Sequence, residues 1–310
     1  MRTMLRAGAI ALAASSVLLA GGVAAQAAPA AADVTFTVGN LIFEPQQWGH
    51  TGSLEVTITN HTDQDVDKAV TVLEPLAGTF DDATGTQGCL IAAPQDGRQA
   101  WDCYLGTIPA GESVTVNVVF YSPAAGKPVA RRATTSGSIE IDGKTVAFPA
   151  VFRSTSGSVA NPVAYTPDQT ANLTVTTPGN VTLTRQDDGT FAGRIPVTLT
   201  GNGDAGHQLL GGQMAAPAGL TDWPYAVDGN CGPGDVDLPV PPGGTGVGCA
   251  FFERLAQGQT RTYDWLFTAP ADSQPGPLGT ATTSGLLNSP LIGAQTDGAN
   301  KATFTVTIAG

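Results

Sequence analysis

The chain holds 310 residues, a length that accommodates about two domains. Its charged residues make up only 13% and sum to −12, and its four lysines and ten arginines are scattered, so a phosphate backbone would be repelled and nucleic acid is excluded as a partner class. After the N-terminal leader no apolar run approaches the roughly 20 residues that a membrane-spanning helix needs.

The leader comes first. Arg2 and Arg6 precede an apolar run from about Ala7 to Ala20, and Ala25-Gln26-Ala27 supplies a small-x-small pattern. These are the parts of a secretory signal peptide. Residues 1–27 are therefore expected to be cleaved, leaving a secreted, extracellular chain that starts near Ala28 with no membrane span.

The next segments read as short strands between turns. VTFTV, from Val34 to Val38, is the first strand. NLIFEPQQWGHTGS is expected to be irregular, because Pro45, Gly49 and Gly52 interrupt it. In LEVTITN, Leu54, Val56 and Ile58 alternate with Glu55, Thr57 and Thr59, the period of two that a half-buried strand requires. The polar loop HTDQDVD then leads into the strand KAVTVLEP, stopped by Pro75. Val114, Val116, Val118 and Phe120 form another inward row, entered through the turn Pro109-Ala110-Gly111. Asp142-Gly143, between two apolar alternations, marks a hairpin. Ser154 to Asp168 is weakly patterned and reads as a linker, with a short strand at Val163 to Tyr165.

From Ala171 the plan repeats. ANLTVTTPGN echoes ADVTFTVGN, GRIPVTLTG echoes GSLEVTITN, and the stretch from Cys249 to Pro270 echoes that from Cys103 to Pro123. The pentapeptide ATTSG occurs at Ala133 to Gly137 and again at Ala281 to Gly285. These echoes imply an internal duplication, with an expected domain 1 over 32–153, a linker over 154–170 and a domain 2 over 171–310. The match sets Val116, Val118 and Phe120 against Tyr263, Trp265 and Phe267, all six expected in the core. The larger trio requires smaller partners on the facing sheet. Arg261 stands where Val114 stands and is expected to be solvated.

Four cysteines in an exported chain imply disulfides. Three pairings of Cys89, Cys103, Cys231 and Cys249 are possible. Local pairing, Cys89–Cys103 and Cys231–Cys249, closes one short loop per repeat and is preferred; loops of this size are each worth about 3 kcal/mol in the chain-entropy model. A zinc site is disfavoured, since no two cysteines have CxxC spacing and no histidine lies near them.

The order of features resembles the Ig-like repeat domains found in tandem on bacterial surface and secreted proteins, many of unknown function. The residues that carry the likeness are Asn60, Val70-Thr71-Val72 with Pro75, Cys103-Tyr104-Leu105, and Gly111-Glu112-Ser113 leading into the row from Val114 to Phe120. They cover about ninety residues of the first repeat and fewer of the second, where Gly201 replaces Asn60. The resemblance implies an all-β fold of two tandem Ig-like β-sandwiches and no catalytic residues. The Ala-rich leader and its AQA-AP junction resemble those of actinobacterial exported proteins.

Chemistry-bearing patterns are few. No GxSxG or HExxH occurs. Asp63, Asp65 and Asp67 have the one-three-five spacing of a calcium loop, with Glu74 at its twelfth position, but Lys68 stands where the loop needs Gly. A solvated acidic loop is the plainer reading, so no cofactor is expected, with calcium the alternative. Trp48, Trp223 and Tyr225 sit in irregular or Pro-flanked segments, where an exposed ring could stack on a sugar; covering the core is the plainer role for such rings. The expectation is a non-enzymatic structural or adhesive protein at or near the bacterial cell envelope, the alternative being an extracellular carbohydrate- or calcium-binding module. Cell-wall or extracellular polysaccharide, or another surface protein, are the partner classes.

Overall fold

The structure is a computed structural model that describes residues 33–251, 253–289 and 291–310; the expected signal peptide, residues 1–27, lies outside them. The first half carries β1 (Val34–Val38), β2 (Leu41–Gln46), β3 (Gly49–Asn60), β4 (Val66–Leu73), β5 (Phe80–Thr84), β6 (Gly88–Ile91), β7 (Ala100–Ile108), β8 (Ser113–Ser122), β9 (Arg131–Ile141) and β10 (Lys144–Phe152), followed by β11 (Val163–Tyr165). The second half carries β12 (Leu173–Thr176), β13 (Val181–Arg185), β14 (Phe191–Gly201), β15 (Leu209–Ala216), β16 (Tyr225–Ala226), β17 (Asn230–Pro233), β18 (Thr245–Phe251), β19 (Thr260–Ala269), β20 (Gly276–Asn288) and β21 (Lys301–Ile308).

Both halves wind in one order. The first runs β5-β8-β3-β2-β10-β9-β4-β7-β6, and the second runs β16-β19-β14-β13-β21-β20-β15-β18-β17. Each strand of one path has its counterpart at the same place in the other, so the duplication expected from sequence is a duplication of topology. The fold is all-β, and each half is a β-sandwich around its own apolar core.

The sandwich closes through its second strand. Leu41 to Phe43 of β2 run parallel to β10, while Glu44 to Gln46 turn onto β3 in antiparallel register. One strand thus serves both sheets. The expectation of irregular chain over NLIFEPQQWGHTGS is corrected here: it forms β2 and the start of β3. Changing sheets midway disrupts the period of two, and Pro45 is tolerated because it falls where the strand changes partner. In the second half, β13 pairs with β21 and β14 in the same way.

The alternating rows hold. Leu54, Val56, Ile58, Val116, Val118 and Phe120 are fully buried. So is Trp265, with Phe267 1% exposed, while Tyr263 packs against the second core from a half-buried position. Space for the larger trio comes from the facing sheet. Val70 pairs with Cys103, and the counterpart of Val70, paired with Cys249, is Gly212. A Cβ on Gly212 would lie 2.7 Å from the Tyr263 hydroxyl oxygen.

Both disulfides are local. Cys89 bonds Cys103 and Cys231 bonds Cys249, each linking directly opposed residues of an edge strand and its neighbour. The hairpin at Asp142-Gly143 has both residues left-handed, at φ 50° and 74°, the geometry of a two-residue type I′ turn. The pentapeptide ATTSG does not occupy equivalent positions. Gly137 faces Phe148, whereas the residue facing the corresponding Phe304 is Ala281, so the second copy is displaced by four residues along its strand.

The connection between halves is held at both ends. β11 adds to β9 in parallel register. Further on, the segment between β20 and β21, which replaces the tight Asp142-Gly143 turn, grips the chain before β12. Gly293 exchanges backbone hydrogen bonds with Gln169 and Ala171, and Gln295 Oε1 accepts the Leu173 N–H at 2.8 Å. Residues 33–310 form one compact unit.

Candidate functional site

Where the halves meet, a buried polar clasp is built from loops that local pattern leaves obscure. In the first half the carboxylate of Glu74 is fully buried. It accepts backbone N–H groups from Gly78 (2.7 Å), Gln99 (2.9 Å), Thr79 (3.0 Å) and Phe80 (3.1 Å). Burial raises its pKa, against those four donors, which lower it. The loop shaped in this way presents Ala77 and Gly78 to Gly206 of the second half. A Cβ on Gly206 would fall 2.1 Å from the Ala77 carbonyl oxygen, and one on Gly78 would fall 2.5 Å from that of Gly206, so backbones touch here as only glycines allow.

Side chains complete the clasp. Asp204 receives the Tyr165 hydroxyl and the Asp168 N–H, both at 2.8 Å. The Gln257 N–H donates to the Pro123 carbonyl at 2.8 Å. His207 is fully buried; its Nε2 accepts the Leu255 N–H at 3.1 Å and its Nδ1 lies 3.2 Å from the Ala205 carbonyl. Nδ1 is therefore the protonated nitrogen, and burial lowers the imidazole pKa to about 4.

Beside the clasp lies an open cleft of about 730 Å³, walled by Gln46, Trp48, Asp81 and Tyr121 from the first half and by Gln208, Glu253, Arg254 and Arg261 from the second. The Tyr121 hydroxyl donates to the Trp48 carbonyl and so fixes the β2–β3 turn that carries the indole. Burial pushes that hydroxyl up to about 12, so it remains a donor at neutral pH. Arg261 stacks over the Trp48 ring at 4.2 Å and Arg254 over Tyr121 at 4.3 Å. Arg254 bonds Asp81 at 2.5 Å. Glu253 lies 2.9 Å from Arg261 Nε but off the N–H axis, forming an ion pair without an aligned hydrogen bond. A smaller hollow of about 300 Å³, lined by Val227, Asp228 and Tyr263 among others, shares Glu253 and Arg261 with the cleft.

One sequence expectation changes at this point. Arg261 is not free in solvent; it lies over an indole from the other half. Tyr121 is buried beneath Arg254. The substitution of Val114 by Arg261 in otherwise matched rows was the one sequence signal of this contact. Asp81, Arg254 and Gln208 carried none.

The other sequence candidates are dispersed. Asp65 accepts the Ala110 N–H and Asp67 the Thr107 hydroxyl, while Lys68 pairs with Asp142 at 2.7 Å. Glu74 turns inward to its own loop, away from Asp63, Asp65 and Asp67. No group of three or more His, Cys, Asp or Glu side chains among the described residues is arranged to hold a metal ion. Trp223 and Tyr225 are 44% and 49% exposed near the edge strand β16, whose Ala226 is buried opposite Trp265. Cys89, Cys103, Cys231 and Cys249 are structural crosslinks.

No family model matches the chain, and no curated protein matches it. Among solved structures, red sea bream transglutaminase shares 12% identity over 90% of this chain and 32% of its own, with a TM-score of 0.20. A Porphyromonas gingivalis W83 protein of unknown function shares 12% identity over 90% of this chain and all of its own, also with a TM-score of 0.20. This chain thus spans about a third of the transglutaminase chain, and neither likeness bears on activity. The two disulfides belong to an oxidising environment of the extracellular kind. No helix among the described residues is long and apolar enough to cross a membrane.

Proposed function

We propose that this is a secreted, non-enzymatic structural or adhesive protein acting at or near the bacterial cell envelope. The observation that supports it is the clasp. Backbone contact at Gly78 and Gly206, the Asp204 bonds to Tyr165 and Asp168, and the Arg254–Asp81 pair join two sandwiches into one stiff unit. Free tandem domains need no such contacts, whereas a spacer or adhesin that presents a face at a fixed distance does. The disulfides and the expected signal peptide agree with an extracellular working place. The direct test is fractionation of producing cells with a pull-down of the purified mature chain on their wall material. Retention on the wall supports the reading, and recovery from free medium alone with no wall binding rejects it.

A second reading, an extracellular carbohydrate-binding module, is favoured by the aromatic and polar walls of the cleft.

A further inference from the structure

The cleft between the halves has a chemistry that narrows its ligand. We propose that it binds a neutral oligosaccharide, with Arg261, Glu253 and Gln46 as hydroxyl partners and Trp48 as the ring against which a sugar lies. The choice of ligand rests on the carbohydrate-binding reading of the cleft.

Size comes first. At about 730 Å³ the cleft falls within the range of about 300–1,000 Å³ typical of small-molecule sites, a hollow of about 300 Å³ shares its Glu253–Arg261 wall, and the cleft lies at a junction between domains, where such sites concentrate.

Charge comes second. Arg254 faces Asp81 and Arg261 faces Glu253, so each cation in the wall has its own anion. An acidic ligand would have to displace a carboxylate, and a basic one a guanidinium. An uncharged ligand displaces neither.

Hydrogen-bonding capacity comes third. Arg261 Nε is buried without an aligned hydrogen-bond partner, while the side chain as a whole is 32% exposed and that of Glu253 is 50% exposed. Stacking on Trp48 and the ion pair hold the guanidinium in place without using its donors. A guanidinium fork next to a carboxylate offers donors and acceptors in one plane, which suits vicinal hydroxyl groups, each at once donor and acceptor. The exposed Gln46 amide adds one more group of both kinds. Trp48 takes Arg261 on one face and is stacked on no other ring among the described residues, and a pyranose presents an apolar C–H face to such a ring.

The test uses the mature full chain and isothermal titration with neutral oligosaccharides (cello-, malto-, chito- and xylo-tetraose) and with oligogalacturonate as the acidic probe. At least one neutral sugar should bind. Arg261→Gln should weaken that binding about tenfold, as loss of a charged donor does, and Gln46→Ala about threefold. Gln46 is exposed, so its variant keeps the test alive if Arg261→Gln disturbs the junction; thermal melts identify that case. Three results overturn the proposal: no neutral sugar binds; only the acidic probe binds; or binding is lost in Tyr225→Ala and unchanged in Gln46→Ala. Wall retention that survives Gln46→Ala and Arg261→Gln would reject the cleft and leave the adhesive reading standing.

Discussion

Glu74 and His207 show two ways in which a buried polar residue can be structural. Glu74 collects four backbone N–H groups that would otherwise be stranded in the core. Glu74→Ala should cost at least about 3 kcal/mol in urea denaturation, because an unpaired buried donor costs about 1–3 kcal/mol. Glu74→Gln should recover little of this, since its NH₂ would face donors. His207 acts through pH. Its folded pKa of about 4 lies below the ordinary 6.5, so between these values the unfolded chain binds a proton that the folded chain refuses. Stability should therefore fall as pH drops through that window, by up to roughly 3 kcal/mol for this residue. His50, whose pKa is also lowered by burial, adds in the same direction. Denaturation midpoints at pH 7 and pH 5 should converge in His207→Gln compared with the parent; an unchanged pH dependence would remove His207 from the account.

At the scale of elements, the two sandwiches solve one packing problem with different volumes. The first sets Val70 against the row of Val116, and the second sets Gly212 against Tyr263. Gly212→Val alone should overpack and cost about 2–3 kcal/mol, and Tyr263→Val alone should leave a hole costing about 3 kcal/mol. The double variant recreates the arrangement of the first half, so it should recover about 1–3 kcal/mol as a coupling energy. Strict additivity in that cycle would refute the compensation. The disulfides act on the same elements by closing separations of 14 and 18 residues. Replacing either pair with serines should cost about 3 kcal/mol, read from the same denaturation curves.

For the whole molecule the decisive feature is the junction. Its contacts are polar and close, and both glycines at its centre sit where a side chain would strike backbone. Gly206→Val should therefore pry the halves apart without altering either core. Small-angle scattering should show a larger radius of gyration, and calorimetry should resolve two transitions where the parent shows one. If the variant keeps the parent's scattering profile, the clasp does not set the arrangement.

Most of the architecture could be read from neighbours along the chain. The period of two in LEVTITN and in Val114 to Phe120, the Asp142-Gly143 turn and the cysteine spacings each depend on residues within one hairpin, and each appears in the fold as read. Comparing the two copies called for smaller partners facing the larger trio, and the structure supplies one in Gly212 against Tyr263. Where a strand serves two sheets, as β2 does, the local period fails, and so did the reading. The candidate site was legible only in its Trp48 and in the Arg261 that replaces Val114. Its other walls come from positions that are far apart in sequence: Arg254 and Asp81 bond across 173 residues. Strand and turn are dictated by local sterics and alternating burial, which leave their record in consecutive residues. The pairing of one sandwich with the other is decided by surfaces that exist only once both have folded, and no periodicity records it.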